Sequence, residues 1–324
     1  MYNILLVGSG QLGSRYLQGL SRINNDLEIF VVDPNLNALS IAKDRFEEMT
    51  KNTFSHSVNY YQDFNELGNE FDLGIIATNA DVRKKILIYL LKQHRIKNFI
   101  LEKVAFQAIE DFEIIIELLN IDKIKAWVNC PRRIMPFFIK LKEEIPDKAL
   151  INMFVKGSNW GLASNTIHML DLLSFLSSQV DYEFDISNLE DEIYSSKKPS
   201  FIEIGGKLNF YSNRGDRLEL VDEKQKNRPF ELIIKYDERE IHINQNLGRA
   251  KILSKDGSEL AASNFILPMQ SEITSQIVKD ILFHSNSNLT SVNESLTLHR
   301  SMIQAFNCHL TKIKGKKVKV CPIT

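Results

Sequence analysis

Gly8, Gly10 and Gly13 follow the apolar run Ile4–Val7, and Asp33 closes the next apolar run, Leu27–Val32. This spacing makes a phosphate cradle. Gly8 permits a tight turn out of a strand, Gly10 lets backbone approach a pyrophosphate, and Gly13 lets the next helix pack closely on the strand. The helix start offers free N–H groups and the positive end of its dipole to the phosphates. Asp33, about 20 residues past Gly13, is placed to accept hydrogen bonds from ribose hydroxyls. The expected ligand is NAD. NADP is disfavoured, because the carboxylate would repel its extra phosphate and Pro34 and Asn35, not arginine, follow it. Expected contacts in this stretch are Gly8, Ser9, Gly10, Gln11, Leu12, Gly13 and Asp33. A glycine-rich turn in an unrelated α/β protein is the plain alternative.

Two further groups carry chemistry. Glu102-Lys103 ends an apolar run, Asn98–Leu101, at the strand edge where open α/β sheets bind ligands. A lysine there can hydrogen-bond a hydroxyl and stabilise developing negative charge. A surface lysine paired with Glu102 is the other reading. The second group is Ser164-Asn165-Thr166-Ile167-His168, with Asp171 beyond it. Asn165 reads as an N-cap, which puts His168 in the first helical turn. The positive helix end would keep the imidazole neutral, able to take a proton from an alcohol. Asp171, three residues on, could orient the ring. A histidine packed near a helix end is the alternative.

The elements around these residues form a pattern. Helices are expected at 12–23, with Leu12, Tyr16, Leu20 and Ile23 on one stripe, and at 36–50, 81–94 and 105–120. Strands are expected at 57–61, 71–78, 98–101 and 124–128, the second ending where Ala77, Thr78 and Asn79 can cover the nicotinamide side. Strand and helix alternate, which predicts a doubly wound parallel Rossmann sheet over residues 1–126. Residues 127–324 read as an α+β domain for substrate binding and oligomerisation. Strands at 149–157, 201–212, 216–222, 230–236 and 239–244 have few helices between them, so a large, mainly antiparallel open sheet is expected. Helices are expected at 136–145, 165–177, 270–284 and 293–310. The run 286–293 reads as a loop, and the lysines from Lys312 to Lys319 as an exposed, charged strand edge. One open sheet face needs cover, which predicts a homodimer or homotetramer.

The 324 residues suit two domains, and 44% hydrophobic content with a net charge of −1 excludes a global bias toward nucleic acid or membrane. A strand pattern begins at once, so no signal peptide is expected, and no stretch is apolar enough to span a bilayer. Cys130, Cys308 and Cys321 form no C-x-x-C pair, pointing to a reduced, cytoplasmic protein without a metal site.

Taken in order, Gly8-x-Gly10-x-x-Gly13, Ile75-Ile-Ala-Thr78, Glu102-Lys103, Arg133-x-x-Pro136 and His168-x-x-Asp171 resemble the glucose–fructose oxidoreductase / inositol dehydrogenase family over essentially the whole chain. The resemblance implies a nicotinamide-dependent oxidoreductase acting on a hydroxyl carbon of a sugar, inositol or nucleotide sugar, the last as used in surface polysaccharides. It implies Lys103 and His168 as catalytic residues, with Glu102 and Lys103 also at the cofactor. Arg133, Trp160, Ser164, Asn165 and Asp171 are expected at the substrate; Trp160 could stack on a sugar ring or be a packed loop residue. Three positions depart from the family: Val104 replaces a proline, Ser164 an aspartate and Thr166 a glycine. The Ser164 departure leaves open an NAD-binding sensor or scaffold with little turnover.

Overall fold

The computed structural model describes residues 1–49 and 56–324; Thr50, the last residue of one expected helix, lies outside them. The chain divides into two compact units. Unit 1 comprises Met1–Phe106, Glu110–Asn129 and Pro268–Val292; unit 2 comprises Gln107–Ile109, Cys130–Leu267 and Asn293–Thr324. Relative to a single boundary after residue 126, unit 1 also takes residues 268–292 and unit 2 takes residues 107–109.

The chain begins in unit 1 with β1 (Tyr2–Val7), α1 (Gln11–Leu20), β2 (Leu27–Val32), α2 (Leu36–Met49), β3 (Ser57–Tyr61), β4 (Glu70–Phe71) and β5 (Leu73–Ile76). It continues with α3 (Ala80–Gln93), β6 (Arg95–Ile96), β7 (Asn98–Leu101), α4 (Ile109–Ile121) and β8 (Lys125–Val128). Unit 2 then holds α5 (Pro136–Glu144), β9 (Asn152–Gly157), α6 (Leu162–Ser177), β10 (Tyr182–Ser195), β11 (Ile202–Ser212), β12 (Arg217–Asp222), β13 (Glu231–Tyr236), β14 (Arg239–Asn244), β15 (Arg249–Ser254) and β16 (Glu259–Asn264). The last elements are α7 (Gln270–His284), β17 (Thr290–Ser291) and α8 (Val292–Lys314).

Unit 1 is a seven-stranded sheet in the order β17-β8-β7-β5-β1-β2-β3. Every pair is parallel except the edge strand β17, which runs antiparallel to β8. Ile4, Leu5, Leu6, Leu73, Ile75, Ile76, Phe99 and Ile100 are fully buried, as strands covered on both faces require. The strand order reverses direction beside β1, which brings the carboxyl ends of β1, β2, β5 and β7 to one edge.

Unit 2 is built on an eight-stranded sheet in the order β10-β11-β12-β9-β13-β14-β15-β16. Only β12 and β9 pair in parallel. Met153, Val155, Leu218, Leu220, Leu232, Ile234 and Ile241 alternate onto a buried face. The opposite face carries half-buried Phe154, Val221 and Ile233 among paired charges such as Lys156–Glu231 and Lys207–Glu219.

Three strands of this sheet, β10, β15 and β16, have no counterpart in the sequence reading. β10 is acidic and interrupted by register shifts, and β16 is exposed throughout, so neither shows apolar alternation. Two expectations are corrected. The polar run at 286–293 contains β17. The lysine-rich end is not a strand: α8 continues to Lys314, and buried Cys321 and Ile323 are held by Cys321 N–H donating to the Gln107 carbonyl (2.9 Å), Ile202 N–H to the Pro322 carbonyl (3.0 Å) and Gln107 Nε2 to the Ile323 carbonyl (3.0 Å). Backbone bonding to Gln107 and Ile202 settles that segment, and lysine spacing does not reveal it.

Candidate active site

In unit 1 the glycines do separate jobs. Gly8 adopts φ +91°, and a Cβ on it would come within 3.0 Å of the Ala77 backbone. A Cβ on Gly13 would sit 1.8 Å from the Gly8 carbonyl oxygen, so no other residue lets α1 start here. Gly10, the α1 N-cap, has nothing within 4 Å of its Cβ position. No side chain caps α1, and its first turn holds no acid. The helix start is thus kept open by sequence, as an anion cradle needs.

Asp33 ties the cradle to β2. Its Oδ2 accepts from Ser9 N–H (2.7 Å) and its Oδ1 from Asn35 N–H (2.9 Å). Each carboxylate oxygen has a second lone pair for another donor. Ser9 Oγ and Thr78 Oγ1 are buried without a hydrogen-bond partner. An unsatisfied buried hydroxyl costs about 1–3 kcal/mol, which a polar ligand at these strand ends would offset. Gln11 and Leu12 are exposed on the first turn of α1; Ala77, Thr78 and Asn79 follow β5 and are half-buried. The residues present therefore fit a dinucleotide.

Glu102 follows β7 and is 4% exposed. The Tyr16 hydroxyl donates to its Oε1, as does Asn129 Nδ2 (2.6 Å), which also reaches Gln270 Oε1 (2.8 Å). Its carboxylate belongs to a buried network joining α1, β7, β8 and α7. Lys103 is half-buried, and the Lys103–Val104 peptide is cis. Sequence reasoning missed Tyr16 and Asn129 as the partners of Glu102, and it missed Arg83 entirely. The signal for Arg83 was a charge on the stripe it shares with Leu87 and Leu90, both fully buried.

In unit 2 the expected start of α6 is corrected. The helix begins at Leu162, with Gly161 as N-cap in the left-handed region at φ 80°. Asn165 is inside the helix and its Nδ2 donates to the Trp160 carbonyl (2.7 Å). His168 consequently lies in the second turn and is half-buried, so the dipole argument for its neutrality lapses. The cap comes from distant strands. Asp222 Oδ2 accepts from Gly161 N–H and Leu162 N–H (both 3.2 Å), and Glu203 Oε2 from Ala163 N–H (2.9 Å). Lys224 Nζ balances Asp222 at 2.7 Å, with both side chains almost fully buried.

The remaining substrate candidates are engaged nearby. Ser164 Oγ donates to the Gly161 carbonyl (3.3 Å). Ser164 Oγ, Asn165 Nδ2 and Glu203 Oε1 all lie within 3.1 Å of the point where a Gly161 Cβ would be. Trp160 Nε1 donates to the Val221 carbonyl (2.9 Å) and its ring meets Phe230 edge-on at 5.6 Å, the packed-loop arrangement. Asp171, 1% exposed, accepts from Arg133 Nε (3.1 Å), and Arg133 Nη2 reaches Glu294 (2.9 Å). Burial opposes the Arg133 charge, but the two carboxylates outweigh it and hold its pKa above the ordinary value. Arg133 and Asp171 thus form a buried ion pair. Asp222 and Glu203 were missed; Asp222 was legible as an acid on the inward phase of Leu218 and Leu220.

A cavity of about 1020 Å³ lined by residues including Asn69, His94, Arg95 and Asp122 lies at the amino ends of the unit 1 strands, away from the glycine cradle. Among the described residues no cluster of His, Cys, Asp or Glu could hold a metal ion, and no helix is long and apolar enough to cross a membrane.

No family model and no curated protein matches the sequence. Solved structures do match in shape. An oxidoreductase from Agrobacterium radiobacter in complex with NAD+, L-tartaric acid and magnesium aligns over 98% of both chains, with 14% identity and a TM-score of 0.69. The fold is that of the glucose–fructose oxidoreductase / inositol dehydrogenase family. UDP-N-acetylglucosamine 3-dehydrogenase GnnA from Acidithiobacillus ferrooxidans aligns over 94% of this chain and 96% of its own, at 11% identity and TM-score 0.68. The super-repressor mutant of Gal80p from Saccharomyces cerevisiae aligns over 99% and 98%, at 12% identity and TM-score 0.69.

Proposed function

We propose that the chain is a nicotinamide-dependent oxidoreductase acting on a hydroxyl carbon of a sugar, inositol or nucleotide sugar. The observation that carries this reading is the open start of α1 beside the buried, unpartnered hydroxyls of Ser9 and Thr78. The cofactor, when bound, supplies hydride acceptance or donation. Asp33 holds the cradle through Ser9 and is the group for the ribose hydroxyls, favouring NAD over NADP. Lys103 polarises the substrate hydroxyl and stabilises its developing negative charge. His168 takes or returns the hydroxyl proton. Arg133 and Asp171 keep α6 in place through their buried pair, and do not bind substrate directly. The neighbour in complex with NAD+ and the UDP-N-acetylglucosamine dehydrogenase support the cofactor and the substrate class, and a nucleotide sugar for surface polysaccharide is the narrower form of the reading.

The test is NADH binding by the purified protein, followed by turnover with a panel of sugars, inositols and nucleotide sugars. Lys103→Ala and His168→Ala should each lower turnover by about a hundredfold or more. Near-normal activity in both variants would overturn the assignment. The half-buried outer face of the eight-stranded sheet, with Phe154, Val221 and Ile233, supports a homodimer or homotetramer; a monomer in light scattering at micromolar concentration would remove that part.

Ser164, where the family carries an aspartate, favours a second reading: an NAD-binding sensor or scaffold with little turnover. The likeness to the super-repressor mutant of Gal80p supports it. Tight NADH binding without turnover across the panel would select this reading over the first.

A further inference from the structure

Arg83 stands in the first turn of α3, 1% exposed, where two effects oppose a cation: the positive helix end and removal from water. Burial pushes its pKa down to about 10. What offsets this is the negative charge of nearby Glu102 and of Asp81 in the same turn, together with a set of backbone oxygens. Arg83 Nη2 donates to the Thr78 carbonyl, and Nη1 to the carbonyls of Val104 and Ala105 (2.7 Å to the latter). The first acceptor ends the segment after β5. The other two belong to the residues directly after Lys103. A planar guanidinium can span these divergent acceptors at once, which an ammonium cannot do in the same geometry.

We propose that Arg83 is a positioning residue, which locks the Val104–Ala105 segment to the end of β5 and thereby fixes where Lys103 is presented. The inference rests on the reading of Lys103 and Thr78 as parts of a nicotinamide site. A core arginine with a purely structural role would bind wherever oxygens were nearest. Arg83 instead joins the two loops whose separation decides how Lys103 stands to a ligand over β5. The same loop carries the unpartnered Thr78 hydroxyl, so its backbone is held while its side chain is left for a ligand.

The experiment uses the full chain as wild type, Arg83→Lys and Arg83→Met. Amide hydrogen exchange of residues 78–80 and 103–106 is compared with that of residues 8–14, and NADH affinity is measured by fluorescence titration. Exchange at 78–80 and 103–106 should accelerate about tenfold or more while 8–14 stays within about twofold, and the NADH Kd should rise about tenfold. Arg83→Lys, which keeps the charge without the fork, should fall between wild type and Arg83→Met. Unchanged exchange at 103–106, uniform acceleration across unit 1, or failure of both variants to fold would each overturn the proposal. A wild type that binds no NADH would instead overturn the nicotinamide reading, and the exchange pattern would still decide whether Arg83 holds the loop.

Discussion

The two units each begin a helix beside their candidate chemistry, and they treat its N-terminus in opposite ways. At α1 the N-cap is Gly10, no side chain caps the helix start, and a Cβ on Gly10 would meet nothing within 4 Å. At α6 the N-cap is also a glycine, Gly161, and the first turn also lacks an acid of its own. Yet Asp222 and Glu203 from β12 and β11 occupy its N–H groups. The open end can bind an anionic ligand, because donors and dipole are unused. The closed end cannot. A phosphate approaching α6 would meet the carboxylates of Asp222 and Glu203.

That contrast can be broken most strongly at Asp222. Asp222→Ala strands buried Lys224 and two helix N–H groups, and should cost about 3–5 kcal/mol in urea unfolding. A loss under about 1 kcal/mol would show that the closed end is incidental. On the open side, Gly13→Val drives a side chain into the Gly8 carbonyl and should raise the NADH Kd about a hundredfold, or about 2.7 kcal/mol. Gly10→Asp tests the electrostatics directly, since it gives α1 a capping carboxylate like those α6 receives from Asp222 and Glu203. Its NADH affinity should fall about tenfold with unfolding free energy within about 0.5 kcal/mol of wild type. Undiminished binding would argue against a phosphate at α1.

The smallest effect concerns pH. Asp216 in unit 2 is fully buried; burial raises its pKa, but Arg214, the Ile151 N–H and Ser212 together hold it below the ordinary carboxylate value. A carboxyl whose folded pKa is lowered contributes stability above its unfolded value, near 3.9, and loses it as pH falls through the folded value. Unit 2 should therefore lose stability as pH falls below about 4, and Asp216→Asn should flatten that slope in unfolding titrations at fixed urea. An unchanged slope would mean that other carboxylates control the acid limb.

Legibility followed the range of the contacts. The Rossmann alternation, the glycine cradle and Asp33 were readable because a strand, its turn and its helix are neighbours in sequence. The inward phase of β9, β12, β13 and β14 was readable because apolar residues alternate there. β10 and β16 were not, since one is bulged and acidic and the other lies exposed at an edge. The start of α6 was misjudged at Asn165 because its cap is supplied from residues 40 and 60 positions away. That Arg133 and Asp171 are buried partners of each other shows only in the fold, because they lie 38 positions apart in the chain.

By itself, then, the sequence determined the cradle: Gly8, Gly10, Gly13 and Asp33 have steric and electrostatic reasons that act within one strand–helix–strand unit. Only the tertiary structure decided which helix end stays open, which acid is buried beside which arginine, and what holds the Lys103 loop. The physical reason is that a charge's role depends on its burial and partners. For Asp222, Glu203 and Arg83 those partners are brought by the fold from distant parts of the chain.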